Sequence, residues 1–275
     1  MQLTRDTKKL REISRELRAD IIRMITEAGS GHPGGSLSAI DILVCLYFAH
    51  LQHRPQEPEW PGRDRFILSK GHGVPAVYAV LAKAGYFSRD LLLTLRKLES
   101  PLQGHPDRVR LPGIEASTGS LGQGLSIALG MALAFKMSGA SNQVYCMLGD
   151  GEIQAGQIWE ALMAAPHLGV DNLTVILDYN LGQIDGPTNE IMNLEPVTDK
   201  LRAFNWHVTE MDGHDHEQIL ATLRACNETT GRPSFIVANT IKGKGVSFME
   251  HVIDWHGKAP SQEEAEQALA EIAVG

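Results

Sequence analysis

The segment "VYCMLGDGEIQAGQIWEALMAA" (144–165) runs from an apolar strand pattern, through a carboxylate bracketed by glycines, into a helical pattern. Asp150 falls at the end of a buried strand, where an uncompensated charge is costly. The next apolar run, "LTVILDYN" (173–180), ends on Asn180 and leads into another glycine-bearing turn. Adjacent parallel strands would bring Asp150 and Asn180 to one sheet edge. A carboxylate, an amide oxygen and nearby backbone carbonyls are hard oxygen donors. They suit Mg²⁺ held together with a phosphate-bearing ligand, because Mg²⁺ usually takes few protein ligands. The plainer alternative is that Asp150 caps the following helix and Asn180 turns the chain; the paired spacing favours the metal.

Histidines recur in glycine-rich turns: "GSGHPGGS" (His32), "SKGHG" (His72), "QGHPD" (His105) and "DWHG" (His256). A lone histidine is more often structural than catalytic, but the repeated Gly-His dipeptide on separate loops points to hydrogen bonding with phosphate, substrate hydroxyls or a developing alkoxide. Zinc is the competing use of such a set. None of these residues has HExxH or H-x-x-x-H spacing, and no cysteine pair joins them. His214 and His216 of "DGHDHE" (212–217) read as surface residues of a turn and helix start. "STGSLGQGLSIALGMALA" (117–134) is a glycine-rich turn feeding a helix of small apolar residues, without the lysine of a P-loop. "NTIKGKGVSF" (239–248) is either a solvated turn or a cofactor-side loop.

The elements that must position these residues alternate along the chain. Residues 7–28 carry apolar positions at helical spacing, ended by Gly29. Ser38 and Asp41 give a cap pattern that starts a second helix, "SAIDILVCLYFAHL". Strand patterns at 64–69, 144–150, 173–180, 205–211 and 234–240 alternate with helical patterns at 74–85, 154–168 and 215–229. Continuous Val/Ile/Leu runs indicate strands covered on both faces. The expected fold is therefore one doubly wound α/β domain over 1–275, a mostly parallel sheet with helices on both faces, closed by a terminal helix capped by Ser261 and Glu264. Such sheets take ligands beyond the carboxyl ends of their strands.

A formal net charge of −8 over 275 residues, with no Lys/Arg run, argues against a general nucleic-acid binder. No apolar stretch reaches the roughly 18 residues needed to span a bilayer, and "MQLTRDTKKLREISREL" lacks a signal-peptide core. Cys45, Cys146 and Cys226 are scattered, which fits reduced core thiols and a cytoplasmic setting.

Taken in order, "SGHPGGSLSAIDIL", "FILSKGHG", "GHPD", "STGSLGQGLSIALGMALA", "GDGEIQAGQIWEA", "DYNLGQIDG" and "IKGKGVSF" resemble the N-terminal part of transketolase, and the resemblance covers nearly the whole chain. It implies a thiamine diphosphate-binding fold in which Asp150, Asn180 and the carbonyl of Gly182 complete a Mg²⁺ shell with diphosphate oxygens, Ca²⁺ or Mn²⁺ being substitutes. It places Gly151 and His72 against the diphosphate, Gly119 and Leu121 at the aminopyrimidine through their backbones, and Ile184 and Ile241 on the thiazolium. His32, His105 and His256 would face the sugars.

Where transketolases commonly have "QEG", this chain has "QAG", so Ala155 replaces a glutamate of the family's buried acidic network; Glu160 matches a second member. Full transketolases continue into pyrimidine-binding and C-terminal domains. The resemblance thus implies the first subunit of a split transketolase that moves a two-carbon ketol unit between sugar phosphates. It would self-associate to a dimer and would need a separately encoded C-terminal subunit, with a heterotetramer as the assembly. The alternatives are a subunit of a 2-oxo acid dehydrogenase or deoxyxylulose-phosphate synthase type, or a non-catalytic cofactor-binding paralogue.

Overall fold

Leu10, Ile13, Leu17, Ile21, Met24 and Ile25 share the buried face of helix α1 (Thr7–Ala28). Asp6 caps its start by accepting from the Lys8 and Lys9 amides, and Gly29, at φ 61°, ends it in a left-handed turn. The computed structural model describes residues 3–275.

The second helix departs from the expected start. Helix α2 spans Pro33–Cys45 and runs on into a wider π-helical turn at Leu46–His50, so Ser38 and Asp41 are buried interior positions rather than caps. Proline's fixed φ suits a first helical turn. Gly34 lets that turn press against the rest of the molecule: a Cβ there would lie 2.9 Å from the Trp255 carbonyl oxygen.

Strands β1 (Arg65–Leu68), β2 (Val144–Gly149), β3 (Leu173–Tyr179), β6 (His207–Asp212) and β7 (Ser234–Asn239) form one sheet in the order β1-β2-β3-β7-β6. Every pairing in it is parallel, with Gly149 opposite Asp178 and Asp178 opposite Ala238. A short antiparallel pair, β4 (Gly182–Gln183) and β5 (Gly186–Pro187), lies just beyond β3.

Side chains alternate across these strands, and both faces are covered. Tyr145, Met147, Ile176 and Ile236 belong to a core shared with α1, α2, α3 (Val74–Ala84), α8 (His216–Glu228) and α9 (Gln262–Val274). Val144, Cys146, Leu148, Val175 and Val237 belong to a second core with α4 (Gln123–Ser138), α5 (Gly156–His167) and α7 (Val197–Ala203). The short α6 (Thr188–Ile191) follows β5. This is the doubly wound arrangement that the continuous apolar runs imply. Ser261 and Glu264 form a reciprocal capping box on α9. Cys45, Cys146 and Cys226 are buried free thiols. Among the described residues, no helix is long and apolar enough to cross a membrane.

Packing of α2's extension against the sheet carries a pH consequence. The His50 ring nitrogen lies 2.8 Å from the Tyr145 hydroxyl. Burial, only partly opposed by the Asn227 amide, holds its pKa down at about 4, against 6.5 when unperturbed. The unfolded chain therefore binds this proton first. The stabilising effect of a neutral His50 is complete above pH 6.5 and is lost as pH falls toward 4, by up to about 3 kcal/mol. His50→Gln should flatten the unfolding free energy measured in denaturant between pH 6.5 and 4; an unchanged slope would refute this.

Candidate active site

The carboxyl ends of β2, β3 and β7 open into a cavity of about 310 Å³, walled by turns from α2, β1 and the 119–122 and 181–185 segments. Asp150 sits at its base. One carboxylate oxygen accepts the Gly151 amide at 2.8 Å, and the other is buried without any hydrogen-bond partner. Burial, followed by the charge of Asp178, pushes its pKa up to about 6. The helix-cap alternative does not hold, because Ala155 is the N-cap of α5 and no side chain caps that helix.

Asn180 and Gly182 line the same cavity. The Asn180 amide nitrogen donates to Asp178 at 3.2 Å, while its oxygen accepts the Gly182 amide at 3.2 Å. The Gly182 carbonyl accepts from Lys242 at 3.3 Å. These donors fit a hard divalent cation: a partnerless carboxylate oxygen, an amide oxygen and a carbonyl reach one cavity. Among the described residues there is no group of three or more His, Cys, Asp or Glu arranged to hold a metal. A cation here would depend on oxygens supplied by a bound ligand.

Below the cavity lies a buried polar node that reading the sequence misses. Asp178, fully buried at the end of β3, accepts from Ser38 at 2.6 Å and from Lys70 and Thr240. Burial alone would raise its pKa, but the Lys70 ammonium holds it below the usual carboxylate range. Lys70 is 1% exposed and also donates to the Gly35 carbonyl at 2.8 Å.

Glu152 is a second missed residue. Its buried carboxylate accepts from Ser69 at 2.5 Å, the Gly122 amide at 2.8 Å and the Gly149 amide at 3.1 Å, tying the ends of β1 and β2 to the 119–122 turn. Only its position directly after "GDG" hinted at such a role. Lys242 is the third. Burial and then Lys70 lower its pKa to about 8, opposed by Asp150 and Asp178.

The histidines of three distant turns converge. The rings of His32, His72 and His256 form a triangle with centroids 5.2, 5.7 and 5.0 Å apart. Burial lowers all three, His32 to about 4 and His256 to about 3, so all are neutral hydrogen-bonding groups near pH 7. His32 Nδ1 is buried without a partner. His105 lies at the exposed rim against Gly119, where a Cβ would come within 3.2 Å of the imidazole. His72, Leu121, Gly151, Ile184 and His256 line the cavity; His32, His105, Gly119 and Ile241 stand outside its immediate lining.

The reading of His214 and His216 as surface residues is incorrect. His214 Nδ1 lies 2.8 Å from Asp41, and its Nε2 accepts the Ile241 amide at 2.9 Å. His216 is 3% exposed, with Nε2 3.0 Å from the Ser14 hydroxyl. The turn folds inward because Gly213 packs on Thr240, where a Cβ would approach within 2.4 Å. A larger open cleft of about 640 Å³ lies on this far side, lined by Lys8, Arg15, Arg18 and Lys244. It contains none of the residues predicted for the site.

A parallel sheet wound on both faces, with a glycine-walled polar cavity at its carboxyl edge, defines a ligand-binding α/β domain. A family model described as "Transketolase, thiamine diphosphate binding domain" matches residues 7–274, and the chain belongs to that family. It is 47% identical over 266 residues to the 6-deoxy-6-sulfo-D-fructose transketolase subunit SqwG of Clostridium sp. (strain MSTE9), covering 95% of this chain and 97% of that one. It is 42% identical to an apulose-4-phosphate transketolase subunit of Phocaeicola vulgatus, covering 94% of this chain and 92% of the relative. The structure of transketolase from Leishmania mexicana superimposes with a TM-score of 0.91 at 32% identity, over 96% of this chain but 41% of that one. The protein is thus a transketolase-type subunit, and the dehydrogenase, synthase and non-catalytic alternatives are not supported.

Proposed function

We propose that the chain, as one domain, holds thiamine diphosphate for ketol transfer and completes its active site with a separately encoded C-terminal transketolase subunit. The observation that carries this reading is the buried, partnerless oxygen of Asp150, beside Asn180 and Gly182 in a cavity at the sheet edge. Asp150, Asn180 and the Gly182 carbonyl hold Mg²⁺, or Ca²⁺ or Mn²⁺ in its place, together with the diphosphate. Gly151 and His72 lie against that diphosphate, and Lys242 balances its charge. Gly119 and Leu121 meet the aminopyrimidine; Ile184 and Ile241 flank the thiazolium.

When bound, the cofactor supplies the electron sink for breaking and making the carbon–carbon bond. The residues of this chain bind, orient and handle protons. His32, His105 and His256, neutral near pH 7, hydrogen-bond the hydroxyls of a ketose phosphate donor and an aldose acceptor and exchange protons at those oxygens. The setting is cytoplasmic sugar-phosphate metabolism of the pentose phosphate type.

Support for a covering partner comes from the rim. Leu121 and Ile184, which line the cavity, are 42% and 68% exposed, and Leu181, beside the lining residues Asn180 and Gly182, is 53% exposed. Clustered exposed apolar residues mark interaction surfaces. A second apolar stripe on α4 and α5, including Met137 at 81% and Met163 at 62% exposure, is the face for self-association, giving a two-plus-two complex.

Mixing the two purified chains should generate ketol transfer from xylulose 5-phosphate or a related ketose phosphate, with each chain inactive by itself. Transfer by this chain unaided would overturn the proposal. In the complex, alanine at His32, His105 or His256 should lower kcat by roughly 10²-fold or more with an unchanged thermal midpoint. His72→Ala should instead weaken cofactor affinity. Reduced stability with normal turnover per folded molecule would assign the first three a structural role.

A further inference from the structure

The loop that carries Lys242 into the cofactor cavity is held from behind by side chains the reaction does not touch. The last sheet-type bond on this strand is from the Thr240 amide to the Tyr179 carbonyl, at 3.2 Å. From Ile241 the chain leaves the sheet, and its half-buried amide must find another acceptor. His214 Nε2 provides it at 2.9 Å. A ring nitrogen that accepts an N–H carries no proton, so the imidazole proton sits on Nδ1 and is donated to Asp41 at 2.8 Å.

Asp41 is 2% exposed on α2 and paired with Arg18 of α1. The Arg18 Nε in turn donates to the Lys244 carbonyl at 3.2 Å. Both ends of the 241–244 turn are therefore fastened through one buried carboxylate. Between them, the Gly243 amide donates to the Gly34 carbonyl at 3.0 Å, and the Lys242 ammonium reaches the Gly182 carbonyl.

We propose that His214, oriented by Asp41 and seconded by Arg18, is a positioning residue that fixes the Lys242 turn against the cofactor cavity. The proposal rests on the reading of that cavity as the thiamine diphosphate site. Histidine is suited to the task because one ring both accepts the stray amide at Nε2 and donates its Nδ1–H to a buried carboxylate. A glutamine can place Oε1 where Nε2 stands, whereas methionine fills similar volume without a strong acceptor.

The test uses the assembled complex and two readouts: residue-resolved hydrogen exchange over 239–246, and titration with thiamine diphosphate at fixed Mg²⁺. His214→Met should speed exchange at Ile241 and Lys242 and raise the cofactor dissociation constant, each by about tenfold, an amount equivalent to roughly one lost hydrogen bond. His214→Gln should recover most of both effects. Arg18→Met, at the opposite end and facing the outer cleft, should speed exchange in the same turn, and it carries the test if His214→Met does not fold. Lys242→Ala is the control for the underlying reading: if it leaves cofactor affinity unchanged, the cavity assignment fails. If Lys242→Ala weakens binding while His214→Met and Arg18→Met leave both exchange and affinity unaltered, the positioning role fails. Equal loss in the methionine and glutamine variants would likewise overturn it.

Discussion

Asp150→Ala is expected to remove magnesium-dependent binding of thiamine diphosphate in the assembled complex, raising the dissociation constant by at least about a hundredfold. Outer partners of metal sites alone are typically worth 10- to 100-fold in affinity, and here a carboxylate proposed as a direct ligand is lost. Asp178, at the end of the neighbouring strand, cannot take over, because its oxygens are committed to Lys70, Ser38 and Thr240. Without the bridging cation, the diphosphate charge would face the remaining carboxylates with only Lys70 and Lys242 to offset it. The variant also has a stability signature. In the absence of cofactor, Asp150 carries one buried oxygen with no partner, and its removal should leave the thermal midpoint unchanged or slightly higher. Calorimetry that shows unaltered magnesium-dependent binding would refute the assignment, as would an apo form that unfolds far more easily.

Gly130→Arg should weaken the self-association proposed above by about a hundredfold or more, while leaving the folded chain intact. Gln123, Ile127, Gly130, Ala134 and Met137 fall on one stripe of α4 and are exposed or half-buried. A Cβ at Gly130 meets nothing within 4 Å, so the substitution is harmless within this chain. It replaces a glycine inside a helix with a better helix former, a local gain of up to about 1 kcal/mol. At a contact of small residues, by contrast, arginine adds bulk and an unpaired charge whose burial costs about 3–5 kcal/mol. Sedimentation should then report monomers of normal thermal stability, and mixing with the C-terminal subunit should yield less active complex. A stable dimer in the variant would place the self-association surface elsewhere.

Much of this architecture was open to reading in one dimension because its causes are local. The runs that became β2, β3 and β7 announced themselves as strands buried on both sides, since each face of the sheet demands its own apolar residues. Glycine-bracketed Asp150 and Asn180, each just past a strand, reached one cavity because a parallel sheet sends all its carboxyl ends to the same edge. The Ser261–Glu264 capping box needed nothing beyond four consecutive positions.

What remained hidden depends on partners far away along the chain. Lys70 and Asp178 are separated by 108 positions, and each alone looks like an ordinary solvated charge. Asp41 resembled a helix cap because Ser38 and Asp41 are cap-type residues; only packing of α1 and the 212–216 turn against α2 shows that it instead receives Arg18 and His214. Glu152 carries no signal of its own in the sequence; its role appears only where the 119–122 turn closes over it. A polar side chain's burial is decided by whether a complementary group arrives from another element, and that is a property of the tertiary fold. The sequence by itself determined the sheet, its layers and the edge where chemistry gathers; the folded chain decided which charges were neutralised, and therefore which oxygen of Asp150 was left without a partner.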